Sequence, residues 1–191
     1  MAVSRADNSL LGRWWWTVDR WTLGAVGVLI GFGYIMVLAS SPSVAERIGD
    51  ARNALIIKQV LFLALAGAIV TAVSLLSPRD IRRLALVGCI VAVMLTAATL
   101  AIGVEIKGAR RWIALPGLAL QPSEFLKPCF AVVAAWLIAE ARHPRFAGIS
   151  VGTLGAGLIF LLIVMLLKAQ PDVGMTAVIT AVFFAQLYID G

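Results

Sequence analysis

Residues 84–102 read LALVGCIVAVMLTAATLAI, nineteen consecutive positions without a charge. As a helix, a run of this length spans about the thickness of a bilayer's hydrocarbon core. Arg82-Arg83, just before it, serve as anchors at a membrane face. Similar runs recur on either side, so six spans are expected, at residues 21–40, 54–76, 84–102, 122–139, 149–167 and 171–189. The chain of 191 residues is 61% hydrophobic and only 14% charged. A soluble domain would carry about a quarter charged residues. The expected fold class is therefore all-α, a polytopic helical membrane protein with about six transmembrane helices. A transmembrane barrel would alternate polar and apolar positions, and these runs do not.

The net charge of +6 does not point to nucleic acid, because the basic residues are scattered through short connections rather than gathered in a patch. They suit loops beside anionic membrane lipid. Cys89 and Cys129 both fall inside apolar runs and read as packing residues. Residues 1–20 form a separate cytoplasmic N-terminal segment in this reading. Trp14, Trp15 and Trp16, with Trp21 just beyond, suit the headgroup belt, where an indole buries its ring and keeps its N–H wet. The first apolar run is too long for the core of a secretory signal. With the N-terminus inside, the inner segments hold Arg5, Arg13, Arg20, Arg79, Arg82, Arg83, Arg142 and Arg145. The outer segments hold Arg47, Arg52, Lys107, Arg110 and Arg111. That excess favours a cytoplasmic N-terminus.

Charges crowd one region. Residues 108–127 read GARRWIALPGLALQPSEFLK, and residues 170–174 read QPDVG. A charge at the centre of a membrane helix costs roughly 2.5–3.5 kcal/mol on insertion scales, so these side chains are seldom idle. In the expected topology the connection 103–121 faces outward, as do the starts of the spans at 122 and 171. Gln121-Pro122-Ser123-Glu124 and Gln170-Pro171-Asp172 open those spans alike, with proline at the first helical position and an acid in the first turn. Glu124 and Lys127 share a helix face. Lys127 needs a partner, and Glu124 or Asp172 could supply one. Arg110, Arg111 and Lys127 with two outward helix N-termini would make a site for phosphate or pyrophosphate at headgroup depth. Pro116-Gly117 marks a turn, Gly108 permits a tight bend, and Gly174 permits close backbone packing. His143, alone in the connection 140–148, reads as a loop residue.

These residues form three ordered motifs: Gly108-Ala109-Arg110-Arg111-Trp112, then Gln121-Pro122-Ser123-Glu124-Phe125-Leu126-Lys127, then Gln170-Pro171-Asp172-Val173-Gly174. In them the chain resembles the SEDS family (shape, elongation, division and sporulation), from about Trp14 to Gly191. The Trp14–Arg20 lead and the wording of residues 104–113 resemble its cell-division branch of α-proteobacterial type. The resemblance implies a peptidoglycan glycosyltransferase that polymerises lipid II, a disaccharide-pentapeptide on undecaprenyl pyrophosphate, at the division septum. It implies a class B penicillin-binding protein and other divisome proteins as partners. By the resemblance, Arg110, Arg111, Gln121, Ser123, Glu124, Lys127, Gln170 and Asp172 would line the substrate cavity, with Glu124 and Asp172 holding Lys127 in place. It implies about ten spans in the whole protein and a catalytic acid on an outer loop after the seventh. Residues 21–191 thus correspond to the N-terminal part of the transmembrane domain, inactive alone. No cofactor is evident; a divalent cation could offset pyrophosphate charge, but no ligand cluster signals one. A lipid II flippase and a non-catalytic septal scaffold recruiting a transpeptidase are the competing readings.

Overall fold

The computed structural model describes residues 10–48, 52–106, 108–115, 118–140, 145–146 and 149–191. The chain divides into two compact units, residues 1–77 and 78–191. The first holds α1 (Leu10–Thr17), α2 (Arg20–Ile48) and α3 (Arg52–Ser74). Short helix α1 carries the tryptophan cluster that was expected. The Trp14 indole N–H donates to Ser74 Oγ at 2.8 Å, and the Arg20 guanidinium lies over the Trp15 and Trp16 rings, 5.7 and 5.5 Å from their centroids. Asp19 opens α2 by accepting from the backbone N–H groups of Trp21 and Thr22, both at 3.1 Å.

The first connection is shorter than expected. Helix α2 continues through residues 41–48, which lie between the expected spans 21–40 and 54–76. Backbone hydrogen bonding carries it past Ser41-Pro42, beyond the end of the apolar run.

The second unit holds α4 (Pro78–Ile102), β1 (Val104–Ile106), β2 (Ala109–Leu115), β3 (Leu118–Leu120), α5 (Pro122–Ala139), β4 (Arg145–Phe146), β5 (Ile149–Ser150), α6 (Val151–Ala169) and α7 (Val173–Asp190). Five helical segments among the described residues are long and apolar enough to cross a membrane: Ile56–Ser74, α4, α5, α6 and α7. Helix α2 contributes a further apolar stretch, Arg20–Met36. The protein is thus a multi-pass helical membrane protein, with the long helices where six spans were expected.

Its core follows the helical period. Leu126, Phe130 and Ala134 recur every four residues on α5, as do Met175, Ile179 and Phe183 on α7. They meet Ala156, Ile163 and Leu167 of α6. The Phe160 and Phe183 rings stack with centroids 4.5 Å apart. Lipid is as apolar as leucine, so close packing and interhelical hydrogen bonds hold such bundles together. Ala85, Cys89, Ala92, Thr96 and Thr99 give α4 a buried stripe of small side chains. Gly88 brings α4 hard against α5, because a Cβ there would stand 2.8 Å from Cys129 Sγ. Gln186 of α7 donates to the Ala131 carbonyl of α5 at 2.8 Å.

The connection 103–121 is not a plain loop. It folds as a three-stranded antiparallel sheet in the order β1-β2-β3. Gly108, at φ +78°, makes the bend between β1 and β2, as its position suggested. Leu115 pairs with Leu118 across Pro116-Gly117, which themselves lie outside the described residues, as do Arg142, His143 and Lys107.

Candidate functional site

Helix α5 begins with Pro122 after Gln121, and no side chain caps its first backbone N–H groups. Pro122 has no N–H and the Glu124 N–H donates to the Gln121 carbonyl at 3.2 Å, so what this start offers an anion is chiefly the positive end of the helix dipole. One turn in, Lys127 Nζ meets Glu124 Oε2 at 2.6 Å, the partner that their three-residue spacing suggests. Both side chains are partly exposed, so this pair is held weakly and can open for a ligand.

Helix α7 begins differently from the expectation. Pro171 is not its first residue. Asp172 is the N-cap, its Oδ1 accepting from Met175 N at 3.2 Å, and the helix starts at Val173. The acid thus occupies the α7 terminus, leaving α5 as the helix start without a side-chain cap. Asp172 does not hold Lys127. Its carboxylate, 7% exposed, faces Arg111 with Nη1–Oδ1 at 3.6 Å, while Arg111 Nη2 donates to the Pro171 carbonyl at 3.1 Å.

Strand β2 explains why Arg111 reaches that far. Val104 pairs with Trp112 and Glu105 with Arg110, so Arg111 is the extra residue of a β-bulge. A bulge breaks the ladder and re-aims a side chain. Arg110 stays in register and bonds Glu105 instead, Nη2–Oε2 3.4 Å, both side chains exposed. The two adjacent arginines therefore serve different ends, and Arg110 is not brought to the other candidate residues.

Arg111, Gln121, Glu124, Lys127 and Asp172 line one cleft of about 390 Å³, with Gly174, Met175 and Val178 on its α7 wall. Two cations and two carboxylates cancel, so the excess positive potential comes from the start of α5. Gly174 does not serve close packing, as had been expected. A Cβ there would meet nothing within 4 Å, and the missing side chain keeps the cleft wide. Ser123 is buried and accepts from Gln121 Nε2 at 3.2 Å, shaping the turn into α5. Gln170 is buried too. Its Nε2 donates to the Thr96 carbonyl at 3.0 Å and to Thr99 Oγ1. It ties the α6–α7 turn to α4. Thr96 and Thr99 were passed over in the sequence, although two threonines three apart in an apolar span are a polar face that could have been noticed. Buried Arg111 Nε, Asp172 Oδ2 and Gln170 Oε1 have no hydrogen-bond partner among the described residues. No group of three or more His, Cys, Asp or Glu side chains gathers among the described residues.

The chain is similar to known proteins over nearly its whole length. A probable peptidoglycan glycosyltransferase FtsW of Caulobacter vibrioides is 40% identical over 192 residues, covering 100% of this chain and 48% of that protein. The crystal structure of the Thermus thermophilus rod shape determining protein RodA matches with a TM-score of 0.74 at 27% identity, over 93% of this chain and 55% of that one. A solved structure concerning coordination of polymerization and crosslinking by a peptidoglycan synthase complex contains a chain matching at a TM-score of 0.72 and 26% identity, over 92% and 48%. The chain spans about half the length of these relatives. The model of the FtsW/RodA/SpoVE cell cycle proteins matches residues 20–191, and the chain belongs to that family.

Proposed function

We propose that the cleft between β2, α5 and α7 receives the pyrophosphate of a lipid-linked sugar, and that the whole protein is a peptidoglycan glycosyltransferase polymerising lipid II. The carrying observation is the convergence of Arg111 and Lys127 on the uncapped start of α5. The names of the relatives support the reaction class. In that reaction a sugar 4-hydroxyl attacks the anomeric carbon of a second lipid-linked sugar. A C–O bond forms, the bond to pyrophosphate breaks, and the hydroxyl proton passes to a base. Arg111 and Lys127 offset the charge that develops on the leaving pyrophosphate. Asp172 orients Arg111, and Glu124 orients Lys127. Both acids therefore position cations rather than take the proton. The cleft opens to the outer face of the bacterial inner membrane, with the N-terminus cytoplasmic. A class B penicillin-binding protein and other divisome proteins are the partners, at the septum.

The test is glycan formation from labelled lipid II by the full-length protein reconstituted with its transpeptidase partner. Lys127→Ala and Asp172→Ala should each lower polymerisation by about 10²–10³, the scale for losing one preorganised charge contact, with expression maintained. Polymerisation retained in both would remove the assigned roles. Movement of lipid II across the bilayer without glycan formation would favour a flippase.

A further inference from the structure

The opposite end of α4 and α5 carries a second cationic hollow. Arg79, Arg82 and Arg83 sit at i, i+3 and i+4 on α4, on one helix face. With Leu86 and Trp136 they line a cleft of about 340 Å³ that contains no acidic side chain. Asp80, in the same first turn of α4, is the acid nearest to them in the sequence, so the three arginines outnumber it. Arg82 Nε donates to the Pro78 carbonyl at 3.2 Å, which fixes its guanidinium and leaves the Nη groups to other acceptors. Arg82 and Trp136 also border an adjoining groove of about 600 Å³ between the two helices. Its α5 wall is made by Ala131, Val132, Ala135 and Ala139, short side chains that leave room for a chain-like occupant. Glu140, at the end of this groove, accepts from the Trp136 indole N–H at 3.3 Å.

We propose that this end of α4 and α5 binds an anionic phospholipid, its phosphate among Arg79, Arg82 and Arg83 and one acyl chain along the α5 alanines. Charge complementarity selects the headgroup. A phosphate among the three guanidinium groups would accept charge-assisted hydrogen bonds from them. The apolar groove beside them selects a lipid over a free anion. Basic pockets between membrane helices bind anionic headgroups in this way. Trp136 follows Glu124 by 12 positions on α5 (136 − 124), so the hollow lies about 18 Å along the helix from the cleft near its start. The site is independent of the proposed reaction.

The test is lipid retention by the full-length protein in mild detergent, read by native mass spectrometry with phosphatidylglycerol and phosphatidylcholine as probes. The unmodified protein should hold phosphatidylglycerol about tenfold more tightly, and combined Arg79→Gln, Arg82→Gln and Arg83→Gln should erase the preference. Ala135→Phe leaves every charge in place and fills the groove from an exposed position, so it should also release phosphatidylglycerol. It decides the matter if the triple variant fails to fold. A preference that survives the triple variant, or retention untouched by Ala135→Phe, would overturn the proposal. So would displacement of the lipid by millimolar inorganic phosphate, which would leave an anion site without a lipid.

Discussion

Arg110 and Arg111 are neighbours with separate tasks. Arg110 holds Glu105 in the open, where an ion pair contributes about 0–1 kcal/mol. Arg110→Ala should therefore leave the detergent melting temperature and polymerisation close to unchanged. Arg111→Ala strands the Asp172 carboxylate and the Pro171 carbonyl, a loss of about 1–3 kcal/mol. It should lower both quantities, and equal effects of the two substitutions would contradict the bulge assignment. Asp19 offers a pH-dependent test of the α2 start. Hydrogen bonds from the Thr22 hydroxyl and from the Trp21 and Thr22 backbone hold its carboxyl below the ordinary value of 3.8. A lowered carboxyl stabilises the fold above its unfolded value, and that contribution is lost as pH falls through the folded one. Amide exchange of Trp21 and Thr22 should thus accelerate in strong acid and show no such transition near neutrality. The Glu124–Lys127 pair was legible because helical spacing alone brings the two together. The Arg111–Asp172 pair was not, since the partners are 61 positions apart (172 − 111) and only the bulge aims one at the other.

The long helices could be read from apolar length, because in a membrane the helix satisfies its own backbone groups. The sheet could not. Residues 112–115 and 118–120 are almost all apolar, so they lack the alternation that marks a half-exposed strand. Only the turn residues Gly108 and Pro116-Gly117 hinted at it. The end of α2 was misread for the opposite reason, as polar residues 41–48 continue a helix whose apolar stretch has stopped. The contact between α4 and α5 invites a direct test. Gly88→Ala places a Cβ 2.8 Å from Cys129 Sγ, and such overpacking costs about 1–3 kcal/mol. A lowered melting temperature is expected, with recovery in the Gly88→Ala/Cys129→Ala double variant, which removes the sulfur. Additive losses in the double variant would show that the two residues do not meet.

At the scale of the molecule, composition sufficed for a multi-pass helical membrane protein, and three ordered motifs sufficed for the family. The sequence did not disclose how those motifs close one cleft. That depends on a bulged strand, an uncapped helix start, a buried glutamine fixed to two threonines, and a glycine whose absent side chain leaves the cleft open. The cleft is the centre of the proposed chemistry, so ligand occupancy tests it without needing turnover. The measurement is the affinity of undecaprenyl pyrophosphate for the full-length protein and for its Lys127→Gln and Gly174→Leu variants. Lys127→Gln removes a cation, and Gly174→Leu fills the cleft at unchanged charge; each should weaken binding by about tenfold or more. Undiminished affinity in both, with the proteins folded, would contradict the assignment of this cleft to the lipid pyrophosphate.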